Sequence, residues 1–179
     1  MAGTVAIGIQ QFNEIRKKGY FYIDKTAFIR EWWEKGDSVT LITRPRRFGK
    51  TLTMSMVEQF FSVKYAGQQN LFEGLAIWET KAYREIQGTY PVISLSFANL
   101  KEPSYELTRQ KVCDQLQQLY TEQAYILESG ILKGADKSFF ERMLHNEKVE
   151  YVDATLALYK LSSFTTSCSS RPTPWVSLG

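Results

Sequence analysis

The segment VTLITRPRRFGKT, residues 39–51, contains the change of pattern that decides the fold expected of this chain. Its first five residues are apolar or β-branched, which is typical of a short buried strand. A loop rich in arginine follows. From Lys50 the apolar residues Leu52, Met56 and Phe60 are spaced to face one side of a helix. The segment therefore predicts the order strand, loop, helix.

The rest of the chain continues this alternation of strands and helices. Asp24 is placed to act as the N-cap of a helix that should stop at Gly36. The run PVISLSF, residues 91–97, predicts a second strand with proline at its first position. Further helices are predicted after Pro103, over 138–145 and over 152–161. This order predicts an α/β fold in which helices flank a parallel sheet.

The loop itself resembles a phosphate-binding motif. The Walker A pattern is Gly, four residues, Gly-Lys and then Ser or Thr, and Arg44–Thr51 satisfies every position except the first glycine. A loop between a strand and a helix N-terminus suits this role, because free backbone N–H groups and the helix dipole converge there on an anion. Gly49 would let the backbone approach phosphate closely. Lys50 would contact the β and γ phosphates, and the Thr51 hydroxyl would ligate magnesium.

The first position of the loop departs from the general pattern. Arg44 replaces the glycine, and Pro45 removes a backbone donor and biases Arg44 toward an extended conformation. Arg46 and Arg47 would restore attraction for phosphate. The four cations between residues 44 and 50 repel one another unless an anion neutralises them, which favours a phosphate ligand. A solvated basic turn without a ligand is the alternative interpretation.

Two motifs together resemble the AAA-ATPase-like family of predicted bacterial ATPases. The first is Tyr20 or Tyr22 followed by Asp24-Lys25-Thr26, and the second is Arg-Pro-Arg-Arg-Phe-Gly-Lys-Thr at residues 44–51. The resemblance continues through residues 90–97 to about Leu161. It implies a P-loop NTPase with a parallel sheet. Many members also carry a nuclease-like PD-(D/E)XK region at the C-terminus.

The resemblance further implies ATP and Mg²⁺ as ligands, with the metal held in part by the Thr51 hydroxyl. The nucleotide-binding residues that it implies are Arg46, Arg47, Phe48, Gly49, Lys50 and Thr51.

The acidic strand that such an ATPase uses after the Walker A loop is not found in this sequence. A Walker B strand would end in Asp-Glu, where the aspartate holds the metal and the glutamate orients water. We therefore divide the chain into the N-terminal part of a P-loop domain, residues 1–161, and a Ser/Thr-rich tail, residues 162–179. The tail is interpreted as disordered or as an altered chain end. We expect the chain to bind ATP but not to hydrolyse it alone, and its status as an enzyme stays open.

Composition excludes several other classes of protein. The chain has 179 residues, of which 44% are hydrophobic, so a disordered protein is not indicated. Its net charge of +3 is too small to give the whole protein an electrostatic attraction for nucleic acid. It contains no apolar run of about eighteen residues and no secretory signal, which predicts a cytoplasmic protein without a membrane partner. Cys113 and Cys168 are too few for a disulfide scaffold and are expected to be thiols.

Two rival functions stay open on the sequence alone. In the first, Arg44, Arg46, Arg47 and Lys50 contact nucleic-acid phosphates while Phe48 stacks on a base. Nucleic acid is also a candidate partner of full-length relatives. In the second, the chain is an inactive remnant. The biological process and the oligomeric state do not follow from the sequence.

Overall fold

The structure is a computed structural model that describes residues 4, 8–37, 39–43, 45, 47–98, 100–145, 151–168 and 175–177. The chain divides into two compact units. The first comprises residues 1–92 and 173–179, and the second comprises residues 93–172.

The described residues are mainly helical. In the first unit, the α-helices are α1 (Phe12–Lys17), α2 (Ala27–Lys35), α3 (Lys50–Phe61) and α4 (Lys81–Ile86). Short 3-10 turns cover Val63–Tyr65, Gln69–Leu71 and Ala76–Glu79. The strands are β1 (Val39–Leu41) and β2 (Trp175–Ser177). In the second unit, the helices are α5 (Tyr105–Glu122), α6 (Tyr125–Glu128), α7 (Gly134–His145) and α8 (Tyr151–Cys168).

The core of the first unit is built on aromatic rings from α1, α3 and the turns after α3. Phe72 is completely buried; its ring centroid lies 5.1 Å from that of Phe12, in a stacked arrangement, and 5.1 Å from that of Phe60, edge to face. Such pairs are worth about 0.5–1.5 kcal/mol beyond the burial of their area. Arg16 ties α1 to the same turns, because its Nε donates to the Leu71 carbonyl at 2.7 Å. This packing fixes the position of α3 and therefore supports the loop that precedes it.

The two described strands form a parallel pair. Val39 is opposite Trp175, and Leu41 is opposite Ser177. The indole Nε1 of Trp32 on α2 donates to the Thr40 hydroxyl at 3.0 Å, which ties β1 to the first unit. Val39 and Leu41 are 72% and 59% exposed, so β1 is not the buried strand that its apolar composition predicts.

The second unit has a separate core in which α5, α7 and α8 pack together. Tyr120 is fully buried at its centre, with its ring centroid 4.8 Å from that of Phe140. Its hydroxyl donates to the backbone carbonyl of Ala157 on α8 at 2.8 Å. Burial raises the pKa of the Tyr120 hydroxyl, so this group stays a protonated donor.

The predicted α/β fold with a P-loop-type parallel sheet flanked by helices is wrong for the described residues. Their strands are the three-residue pair β1 and β2, and residues 91–97 form no strand. Ile93 and Leu95 pack instead against the helical core of the second unit. The physical reason is that a strand needs a hydrogen-bonding neighbour, whereas apolar alternation records only that side chains are buried. Val92, Ile93 and Leu95 are only half-buried, and Phe97 is 60% exposed.

Several predicted helix boundaries agree with the structure. Gly36 ends α2 with a positive φ of 64°, and α5 begins after Pro103, as the sequence predicts. The Ser104 side chain caps α5 by accepting from the Leu107 N–H at 3.2 Å. The predicted helix from Lys50 is present and ends at Phe61. Helix α8 runs to Cys168, beyond the predicted end at Leu161. Helix α1 was not predicted.

Among the described residues, none of the helices combines the length and the apolar character needed to cross a bilayer.

Candidate functional site

The candidate site is the loop that leads into α3. Helix α3 begins at Lys50, and its N-cap is Gly49, which has φ 74° and ψ 25°. This left-handed conformation favours glycine, because a Cβ would meet the neighbouring carbonyl. The first helical hydrogen bond runs from the Thr53 N–H to the Gly49 carbonyl at 2.8 Å. Gly49 has no side chain that could cap the first-turn N–H groups, so the helix start suits an external anion.

The residues before Gly49 present charge and an apolar ring to solvent. Arg47 is exposed and has φ 69°, an unusual conformation for a residue with a side chain. Such conformations cost about 1–3 kcal/mol and are enriched at ligand sites. Phe48 is 57% exposed. Arg44 and Arg46 lie outside the described residues.

The segment Asp24-Lys25-Thr26 lies beside this loop and is hydrogen-bonded to the 3-10 turn at residues 76–79. One oxygen of Asp24 accepts from the Thr26 N–H at 2.8 Å and from the Thr26 hydroxyl at 2.7 Å, and the other accepts from the Ala76 N–H at 2.8 Å. Thr26 is completely buried, and its hydroxyl oxygen accepts from the Ile77 N–H at 3.1 Å. Asp24 and Thr26 therefore join the start of α2 to the 3-10 turn at residues 76–79.

These contacts lower the pKa of the Asp24 carboxyl. Burial on its own would raise that pKa, but the hydrogen bonds from the Ala76 N–H and from Thr26 favour the charged form and outweigh it. Asp24 is therefore a carboxylate near neutral pH. Asp24 is not the N-cap of α2 as predicted: the helix begins at Ala27, the N-cap position is Thr26, and the Thr26 side chain makes no capping hydrogen bond.

Lys25 connects this anchored segment to the loop. Its Nζ donates to the Phe48 carbonyl oxygen at 3.3 Å, and a Cβ placed on Gly49 would lie 3.1 Å from the same Nζ. The Lys25 N–H donates to the Tyr22 hydroxyl at 3.4 Å, and that hydroxyl donates to the Met56 sulfur on α3 at 3.1 Å. Burial, the largest influence, raises the pKa of Tyr22 to about 12, so the hydroxyl keeps its proton.

The structure brings the Asp24-Lys25-Thr26 motif and the loop motif into contact. Gly49, Lys50 and Thr51 are consecutive at the start of α3, and Thr51 is exposed. The contact of Lys25 with the Phe48 carbonyl is not predicted from the sequence. The signal was present in the pairing of Asp24-Lys25-Thr26 with the loop motif, but the spacing of 23 residues does not show that the two meet.

Magnesium would find one suitable ligand among the described loop residues. Mg²⁺ prefers oxygen ligands and commonly uses one or two carboxylates together with phosphate oxygens. The exposed Thr51 hydroxyl fits one such position. The Asp24 oxygens already accept three hydrogen bonds. Within the described part of the chain, no group of three or more His, Cys, Asp or Glu residues is close enough to hold a metal ion.

Comparison with known proteins gives one match to a family and one to a curated relative. The model of a family described as "Predicted AAA-ATPase" matches residues 6–152. An uncharacterized protein in the vnfD 5′ region of Azotobacter chroococcum mcd 1 is 38% identical over 92 residues, which cover 51% of this chain and 16% of that protein. The chain thus spans about a sixth of the length of this relative. No solved structure matches the chain.

Proposed function

Because the chain belongs to the predicted AAA-ATPase family, which covers residues 6–152, we propose that it binds ATP at the loop before α3. The family membership confirms the resemblance drawn from the two motifs. The observation that carries the proposal is the geometry of Gly49-Lys50-Thr51, in which a left-handed glycine leads directly into a helix that begins with lysine. Backbone N–H groups at such a helix start attract phosphate.

The proposed roles follow from the chemistry of each side chain. Lys50 supplies a charge for the β and γ phosphates, and Gly49 lets the backbone approach them. Arg46 and Arg47 add positive charge to the loop sequence before Gly49, and Phe48 offers an exposed ring for contact with the nucleotide. Charged hydrogen bonds of this kind are roughly twice as strong as neutral ones.

Magnesium belongs to the same proposal through Thr51. When it is bound with a triphosphate, Mg²⁺ neutralises phosphate charge and bridges phosphate oxygens. The contribution of this chain would be the Thr51 hydroxyl, which lies one residue beyond Lys50 on the first turn of α3. Affinity for ATP should therefore depend on Lys50 with or without magnesium, and on Thr51 mainly with it.

A titration with a fluorescent ATP analogue tests this proposal. We expect Lys50→Ala to weaken binding at least about tenfold, which corresponds to about 1.4 kcal/mol. Thr51→Ala should weaken binding less than Lys50→Ala when magnesium is absent. The matched control is Lys35→Ala, which removes an exposed lysine at the end of α2. Equal affinity of the unaltered chain and Lys50→Ala would remove the basis for the proposal.

A nucleic-acid interface is the second candidate, and the exposed ring of Phe48 beside Arg47 favours it. Aromatic rings next to cations bind single strands by stacking and charge. Competition distinguishes the two functions. At constant ionic strength, ATP should displace an oligonucleotide from a triphosphate site. If ATP leaves the oligonucleotide bound while Arg47→Ala or Phe48→Ala releases it, the loop is a nucleic-acid interface.

A further inference from the structure

The contact between Lys25 and the loop suggests a second functional lysine. We propose that Lys25 is a positioning residue that orients the peptide group between Phe48 and Gly49, so that the Gly49 N–H points toward bound phosphate. This inference rests on the proposed function. It assigns to the Asp24-Lys25-Thr26 motif a role in binding a nucleoside triphosphate, although Lys25 lies 23 positions before Phe48.

The geometry of the peptide bond supplies the first step. In a planar trans peptide the C=O and the following N–H point in opposite directions. Lys25 Nζ lies 3.3 Å from the Phe48 carbonyl oxygen, so it fixes that C=O and thereby directs the Gly49 N–H to the opposite side. A cation on the carbonyl also polarises the peptide, which makes the N–H a stronger donor to an anion.

The second step is that this peptide needs such a restraint. Gly49 has φ 74°, and Arg47, two residues earlier, has φ 69°. Glycine populates both signs of φ readily, so the Phe48–Gly49 peptide can rotate more freely than its neighbours. An unrestrained loop pays an ordering cost when ligand binds, and a loop held in its bound orientation binds more tightly.

The third step is that Lys25 is itself held in place. Its neighbours Asp24 and Thr26 accept hydrogen bonds from the Ala76 and Ile77 N–H groups, at 2.8 and 3.1 Å. Its own N–H donates to the Tyr22 hydroxyl, which contacts Met56 on α3. The backbone on both sides of Lys25 is therefore held in place, and this positions the Lys25 side chain at the loop. Through its hydrogen bond to the Phe48 carbonyl, the side chain then restrains the Phe48–Gly49 peptide.

The experiment compares binding of ATP and AMP analogues by the unaltered chain, Lys25→Met, Lys25→Arg and the matched control Lys35→Met. We expect Lys25→Met to weaken ATP binding about tenfold and AMP binding much less, because the Gly49 N–H serves the outer phosphates. Lys25→Arg keeps a donor for the Phe48 carbonyl and should restore most of the affinity. Lys35→Met should change neither ligand.

The loss of ATP binding relative to AMP binding is the readout that a purely structural role would not change, and hydrogen exchange measures the restraint on the loop itself. Without nucleotide, Lys25→Met should speed amide exchange in residues 48–50 and leave the melting temperature within about 2 °C of the unaltered chain. If the unaltered chain binds ATP and Lys50→Ala does not, but Lys25→Met binds like the unaltered chain, the inference is overturned and the proposed function stands. If ATP affinity falls only in step with the melting temperature, the role is structural and the inference is again overturned. If the unaltered chain does not bind ATP, both fail.

Discussion

The carboxylate of Asp24 accepts a hydrogen bond from the backbone N–H of Ala76 at 2.8 Å, although the two residues are 52 positions apart. This bond joins the segment before α2 to the 3-10 turn at residues 76–79. The hydroxyl oxygen of the completely buried Thr26 likewise accepts a hydrogen bond from the Ile77 N–H. Asp24 and Thr26, on either side of Lys25, therefore accept from two adjacent backbone donors, and these bonds fix the backbone from which Lys25 reaches the loop.

Loss of the Asp24 carboxylate should destabilise the first unit. We expect Asp24→Ala to lower the free energy of unfolding by about 1–2 kcal/mol, since it leaves the Ala76 N–H without this acceptor and partial exposure of the bond limits the cost. Asp37→Ala, which removes an exposed carboxylate after α2, is the matched control. Urea unfolding of both variants measures the effect. Equal stability of the two variants would contradict a structural role for Asp24.

The same carboxylate predicts a pH dependence of stability. The folded pKa of Asp24 lies below its ordinary value of 3.8, so its contribution is complete above that value and is lost as the pH falls through the folded pKa. The difference in melting temperature between the unaltered chain and Asp24→Ala should be constant from about pH 7 to about pH 5 and should shrink below about pH 4. A difference that grows on acidification would show that the sign of the pKa shift is wrong.

A methyl group at Gly49 should disturb the loop more than the helix that follows it. Gly49→Ala combines a positive φ with a Cβ only 3.1 Å from Lys25 Nζ. Gly36→Ala is the matched control, because Gly36 also has a positive φ but no atom lies within 4 Å of its added Cβ. Both variants should lose about 1 kcal/mol of stability from backbone strain. ATP binding should weaken in Gly49→Ala alone, and a similar loss in Gly36→Ala would argue for a global effect.

Among the glycines that the structure describes, Gly88 is the one at which an added Cβ would be tolerated least. Its φ is 69°, and a Cβ there would lie 2.7 Å from the Ala66 Cα, which is backbone that cannot simply rotate away. The Gly88 N–H also donates to the Phe60 carbonyl at the end of α3 at 2.8 Å. We expect Gly88→Ala to cost about 2–4 kcal/mol through overpacking and strain.

The control for this prediction is Gly67→Ala, whose φ of 80° is similar but whose Cβ would meet nothing within 4 Å. It should cost only the strain, about 1 kcal/mol. Thermal melting of the two variants measures the difference. If both melt alike, the turn after α3 has more room at Ala66 than the structure gives it.

The amino-acid sequence by itself determined the local features and the family. Gly36 ends α2, α5 begins after Pro103, and the helix after the loop begins at Lys50, because capping and backbone preferences act between residues a few positions apart. The two motifs were specific enough to identify the family that matches residues 6–152. These conclusions require no knowledge of which distant segments meet.

Tertiary structure alone decided which segments became strands and how the two motifs meet. The apolar run at residues 91–97 reads as a strand, but the described structure gives it no strand partner, whereas Val39–Leu41 pairs with Trp175–Ser177 from the far end of the chain. The contact of Lys25 with Phe48 is equally invisible in sequence spacing. The physical reason is that strand pairing and long-range hydrogen bonds depend on how apolar faces pack together. The spacing of apolar residues predicts that a face is buried, but it does not predict which segment packs on that face.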